Sequence, residues 1–179
     1  TGTQYKLNVT SWHPGYWAGP DDFGGTSFAR LNITPDGLRV DAPTWVIPHE
    51  LMHCFQNHNT TGNVPGEWWE FHANYGRERW LQHYQAFYPN TSGIDPTHMR
   101  SAHLNIGGGR EYYLCWPVFQ YIDENPDALS DLGDGTTVKL WQQTNSGEYP
   151  FMALERLTPS STLKDIVGNF ARRGATYNY

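Results

Sequence analysis

The residues best suited to chemistry in this 179-residue chain stand together in His49-Glu50-Leu51-Met52-His53. Two imidazoles four apart on a helix face the same way and can grip one metal ion between them. A carboxylate one residue after the first histidine lies beside such an ion, placed to take a proton from a water bound to it. The spacing therefore describes the core of a metal-dependent hydrolase, with His49 and His53 as ligands, Glu50 as general base and Zn²⁺ as the expected cofactor. Catalytic zinc is held by three protein groups and keeps a fourth position for water, so a third ligand has to come from elsewhere in the chain. Glu67 and Glu70 are both within reach, three apart and so on one helical face.

Gln56 and Asn59 occupy the positions where a metzincin would carry its glycine and last histidine, which excludes that pattern. The motif His49-Glu50-Leu51-Met52-His53, a loop, and then Trp69-Glu70-Phe71-His72-Ala73-Asn74 resembles the gluzincin arrangement of thermolysin-like metallopeptidases, and is closest to less characterised secreted gluzincin-like domains. In that family the third ligand is a helix glutamate, followed by a small residue three positions on and an aspartate four on. The resemblance covers residues 44–75 and implies Glu70 as third ligand, ahead of Glu67. Asn74 falls at the aspartate position and departs from it. It can still accept a hydrogen bond from His49, but without a full charge it raises ligand basicity less. The resemblance also implies an oxyanion donor downstream of the third ligand, for which Tyr112 and Tyr113 are best placed by order. Both also read as core tyrosines of a helix.

These residues need elements to hold them. Pro48 is tolerable only in a first helical turn, so the metal helix is expected to start between Thr44 and Pro48 and to run to about Asn57. After a loop, residues 67–88 read as a second helix that buries Ala73, Trp80, Leu81, Tyr84 and Phe87. A third helix is expected over 111–124, kinked at Pro117 and stopped by Asn125-Pro126. Short helices follow over 137–143 and 150–157, with a last one capped by Ser161 or Thr162 and ended at Gly174. Upstream, residues 5–10 and 26–33 read as strands, 12–25 as a surface loop, and Thr34-Pro35-Asp36-Gly37 as a turn returning Leu38-Arg39-Val40 antiparallel. The fold class is α+β, zincin-like: a small antiparallel sheet, then a mostly helical second half with the metal site on the central helix, in one catalytic domain over 1–179.

Composition limits the remaining possibilities. Charged residues make up 17%, the net charge is -6 and the lysines are Lys6, Lys139 and Lys164 alone, which leaves no clustered basic face for nucleic acid. No stretch approaches the length of a membrane span, and the sequence reads as carrying no signal peptide. The start at Thr1 without methionine suggests a processed piece of a longer multidomain chain. Four Asn-x-Ser/Thr sequons, at Asn8, Asn32, Asn59 and Asn90, agree with a secreted glycoprotein. Cys54 and Cys115 suffice for one disulfide between helices expected to pack together, simple burial being the alternative. Cys54 follows a ligand but points about 100° away from it on the helix, so it is not read as a metal site. His72 points away from Glu70, and His13, His58, His83, His98 and His103 have no ligand spacing, although His98 or His103 could reach the cleft. Aromatic residues at 15% fit a cleft for an extended substrate as well as ordinary packing.

The expected function is zinc-dependent hydrolysis by a secreted metallopeptidase acting on a peptide or glycoprotein. A metal-containing domain that acts on or binds glycans or glycoproteins is the alternative. A binding module stapled by structural zinc is the third reading, and Glu50 argues against it, because a closed structural site has no use for a general base.

Overall fold

Alternation of apolar and polar residues makes a strand of Phe28–Ile33 (β3), and its C-terminal end obeys the pattern: Leu31 and Ile33 are buried, with Asn32 half-buried between them. The structure, a computed structural model, describes residues 4–9, 18–20, 28–39, 45–59, 66–85 and 116–176. Its contacts divide the chain into two compact units, Thr1–His58 with Gly76–Gly93 and Asn59–Tyr75 with Ile94–Tyr179.

In the first unit β3 is the centre of a three-stranded sheet between β1 (Gln4–Val9) and β2 (Ala18–Pro20). β1 runs parallel to β3, from Gln4 opposite Phe28 to Val9 opposite Ile33, and β2 runs antiparallel, with Ala18 opposite Ile33. The expectation of an antiparallel sheet is therefore corrected to a mixed one. Residues 10–27 are long enough for the crossover that parallel neighbours require. β2 falls in the stretch expected to be a loop; Pro20 fits there because β2 is an edge strand.

The expected hairpin at Thr34 does not form either. Pro35–Leu38 is one helical turn (α1), in which Pro35 starts the helix and the Thr34 hydroxyl accepts from the Gly37 N–H at 3.2 Å. Thr34-Pro35-Asp36-Gly37 satisfies the start rules of a helix as well as those of a turn, and the cap decides between them. Leu38 and Arg39 consequently belong to α1 and its C-cap, and not to a returning strand.

Helix α2 is Val46–Asn59, with Pro48 in its first turn as expected. Val46 and Cys54 are buried with Leu31 and Ile33 of β3, and Ile47 and Leu51 pack against them, so one face of α2 covers the sheet. Helix α3 is Gly66–Gln85. Of its expected buried face, Ala73 and Leu81 are buried and Trp80 is half-buried, while the side chains of Tyr84 and Phe87 lie outside the described residues.

The second unit has α4 (Pro117–Glu124), α5 (Thr136–Gln143), α6 (Pro150–Leu157) and α7 (Leu163–Thr176) around one apolar core. Trp68 and Tyr75 of α3 join Phe119, Trp141, Leu154 and Ile166 there. Pro117 stands at the start of α4, where its missing N–H has no helical partner, and residues 111–115 of the longer expected helix lie outside the described residues. Asp123 accepts from the Tyr75 hydroxyl at 2.9 Å and from the Thr137 N–H and hydroxyl at 2.9 and 2.7 Å, tying α3, α4 and α5 together. Arg172 and Arg173 of α7 bind Asp127 just past α4; the Arg173 bond above all holds that carboxyl well below the usual range. Thr162 caps α7 as expected, its hydroxyl accepting from the Asp165 N–H at 3.1 Å. Gly174, expected just past the end, lies inside α7. A glycine near a helix end costs only about 1 kcal/mol relative to alanine, which the preceding turns easily carry.

Candidate metal centre

Helix α2 divides its sides between two tasks. With about 100° per residue, the face of Val46, Leu51 and Cys54 turns to the sheet, and His49, His53 and Gln56 share a face on the far side. Glu50 stands about 60° round the helix from His53 and about 40° from both Val46 and Cys54, on the sheet side of the histidines. His49 and His53 are both buried, with their rings edge to face at 4.8 Å between centroids. Their Nε2 atoms are 3.2 Å apart.

A partner unforeseen in the sequence fixes one of these rings. Gln56, only 1% exposed, places its amide oxygen 2.7 Å from His53 Nδ1. An amide oxygen only accepts, so Nδ1 carries the proton and donates it, which leaves the lone pair of His53 on Nε2. The signal for this was legible as a glutamine three residues after a ligand, hence on the same helical face. In the sequence Gln56 counted only as a departure from another family's glycine.

Helix α3 supplies the third group. The ligand atoms of His49, His53 and Glu70 all lie within 4.8 Å of one another, and no other such group occurs among the described residues. These donors fit a zinc ion. At about 2.0–2.1 Å per Zn–N bond, tetrahedral geometry separates two nitrogens by about 3.3–3.4 Å. The observed 3.2 Å between the imidazole nitrogens meets that requirement almost as it stands. The Glu70 oxygen would close in by up to about 1.4 Å, within reach of a side-chain rotation.

Among the described residues two contacts join α3 to α2 and its entry. Gly76 of α3 packs so closely on α2 that a Cβ there would come 2.7 Å from Met52 Sδ and 2.8 Å from its Cγ. The guanidinium of Arg77 lies over the Trp45 ring at 5.6 Å, where the chain enters α2. Ala73 and Asn74, three and four residues after Glu70, are buried.

The model of one protein family matches residues 3–179. The chain belongs to DUF6055, a family of unknown function. No curated protein and no solved structure matches this DUF6055 chain, so the gluzincin likeness is carried by the motif residues alone. The remaining expected residues of the DUF6055 chain separate clearly. His72 is buried between Trp141, with which it stacks at 4.8 Å, and Phe119, a place in the core and not in the site. Cys54 is buried beside β3, and burial first, then the Glu50 carboxylate, push its thiol up to about 11, far from a thiolate ligand at neutral pH. Cys115, its expected disulfide partner, lies outside the described residues, as do Tyr112, Tyr113, His98, His103 and the side chain of Glu67. Among the described residues no helix is long and apolar enough to cross a membrane.

Proposed function

We propose that this chain is a zinc-dependent hydrolase of zincin-like fold, a secreted metallopeptidase that cleaves peptide bonds. The observation that carries this is the convergence of His49, His53 and Glu70, with imidazole nitrogens at 3.2 Å. Two neutral imidazoles and one carboxylate are the donor set of catalytic and not structural zinc, which takes four protein groups. When bound, the ion supplies Lewis acidity and brings a water at its open position to a pKa of about 7.

The chain's own residues do the rest. Glu50, half-buried beside His49, takes the proton of the attacking water and returns it to the leaving amine nitrogen. Its position about 60° round α2 from His53 keeps it next to the ligands without competing for their place. Asn74, buried one turn beyond Glu70, is the residue the gluzincin likeness assigns to orienting His49. That likeness gives the oxyanion donor to Tyr112 or Tyr113. Secretion is supported by the sequons at Asn8, Asn32, Asn59 and Asn90.

The test is hydrolysis of a broad peptide library by zinc-loaded protein, with chelator-treated protein as control. Cleavage that vanishes with chelator and returns with zinc supports the proposal. Zinc-loaded protein that leaves every peptide intact contradicts the peptidase reading.

A further inference from the structure

Resting on the metal site proposed above, we infer that Gln56 is the positioning residue of that site: it selects the tautomer of His53 and fixes its ring, so that Nε2 is the nitrogen set for metal. Imidazole has two nitrogens, and only one that lacks a proton can bind a cation. The proton's place is decided by whichever hydrogen bond the other nitrogen makes. At His53 that bond runs from Nδ1 to the Gln56 amide oxygen at 2.7 Å, and both side chains are buried, so water does not compete strongly for the nitrogen.

The consequence is seen at the other end of the ring. His53 Nε2 points its lone pair at His49 Nε2 across 3.2 Å. Two lone pairs that close repel each other unless a proton or a cation stands between them. With Gln56 in place, a neutral His53 cannot move its proton to Nε2 without giving up its Nδ1 bond. The neutral pair is therefore bridged by a proton from His49 Nε2, which a metal ion displaces. A glutamine three residues on is a local device: Gln56 shares a face of α2 with both ligands.

Gln56 carries no charge, so it orients without adding the basicity a carboxylate would lend. This gives the test two variants that change different things. Gln56→Met keeps the volume and removes the acceptor, and Gln56→Glu keeps the acceptor and adds charge. Zinc affinity is measured by competition with a chromogenic chelator, and the tautomer of His53 by ¹⁵N chemical shifts of the metal-free protein. Expected are an Nδ1-protonated His53 in the wild type, a shift of the proton toward Nε2 in Gln56→Met, and about 10- to 100-fold weaker zinc binding in that variant. Gln56→Glu should keep the Nδ1 proton and bind zinc at least as tightly as the wild type. An unchanged tautomer and zinc affinity within twofold of wild type in Gln56→Met would overturn the inference while His49→Ala still lost the metal, leaving the site itself intact. Failure of the wild type to bind zinc would remove the site, and the inference with it. Should Gln56→Met not fold, the glutamate variant decides: an Nε2-protonated His53 or weakened zinc binding there overturns the role of Gln56.

Discussion

Replacing Gly76 by alanine should test the spacing of α2 and α3, because the sign of its effect depends on how closely they pack. In an unobstructed helix interior the change stabilises by about 0.8–1.0 kcal/mol, the difference in helix propensity. Here the new Cβ would meet Met52 Sδ at 2.7 Å and Cγ at 2.8 Å. Normal contacts of this kind lie near 3.5–4.0 Å, so Met52 or the helix must retreat by about 1 Å. Overpacking of that size costs about 1–3 kcal/mol. The net expectation is a loss of about 0–2 kcal/mol, read as a lower urea midpoint at unchanged slope. In a Met52→Ala background the obstruction is gone and Gly76→Ala should stabilise by about 1 kcal/mol, a coupling of about 1–3 kcal/mol between the two sites. Zinc affinity should fall in Gly76→Ala, since Glu70 is carried on the displaced helix, and recover in the double variant. A Gly76→Ala protein about 1 kcal/mol more stable than wild type would refute the close approach.

Three further outcomes are expected. Glu50→Gln should keep fold and zinc while peptide hydrolysis falls by about 10²- to 10⁴-fold, measured on any substrate the wild type cleaves; unchanged turnover would exclude Glu50 as general base. Asp123→Ala removes an acceptor used by Tyr75 and by both donors of Thr137, and the buried donors left behind should lower stability by about 3–5 kcal/mol, against about 1 kcal/mol for Tyr75→Phe, both by urea titration. Glu148 is brought from its ordinary 4.5 down to about 2, chiefly by Arg156 and then by the Asn145 N–H. Its folded pKa is depressed, so its contribution is present above about pH 4.5 and lost as pH falls toward 2. Glu148→Gln should be less stable than wild type at pH 7 and equal to it near pH 2; a gap that persists in acid would show that the ion pair is not its source.

The site was more legible in the sequence than the sheet. His49 and His53 are placed on one face by helix periodicity, Glu70 was singled out from Glu67 by the gluzincin likeness, and Pro48 fixes the start of α2 by a rule that involves no tertiary contact. The helices of the second unit announce themselves in the same way, through Pro150 at a start and Thr162 as a cap. The sheet does not, because pairing direction depends on partners distant in sequence. Thr34-Pro35-Asp36-Gly37 obeys two local rules, and the helix is marked by bonds neither rule decides, from Gly37 to the Thr34 hydroxyl and from Leu38 to the Thr34 carbonyl. Three residues, Ala18–Pro20, are too few to show alternation, and their strand exists because β3 offers an edge. Gln56 and Gly76 were visible as letters but not as parts of the site. Their roles are distances, 2.7 Å to His53 and a missing Cβ against Met52, which periodicity does not encode.

His49, His53 and Glu70 are proposed to hold one metal ion together. Zinc-edge X-ray absorption with metal analysis, on wild type, Glu70→Ala and Glu67→Ala, tests it most directly. Expected is one zinc per chain, with histidine nitrogens at about 2.0–2.1 Å and a carboxylate oxygen at about 2.0–2.2 Å, weakened or lost in Glu70→Ala and unchanged in Glu67→Ala. A zinc-replete protein without bound metal, or a zinc site indifferent to Glu70 and lost with Glu67, would contradict it.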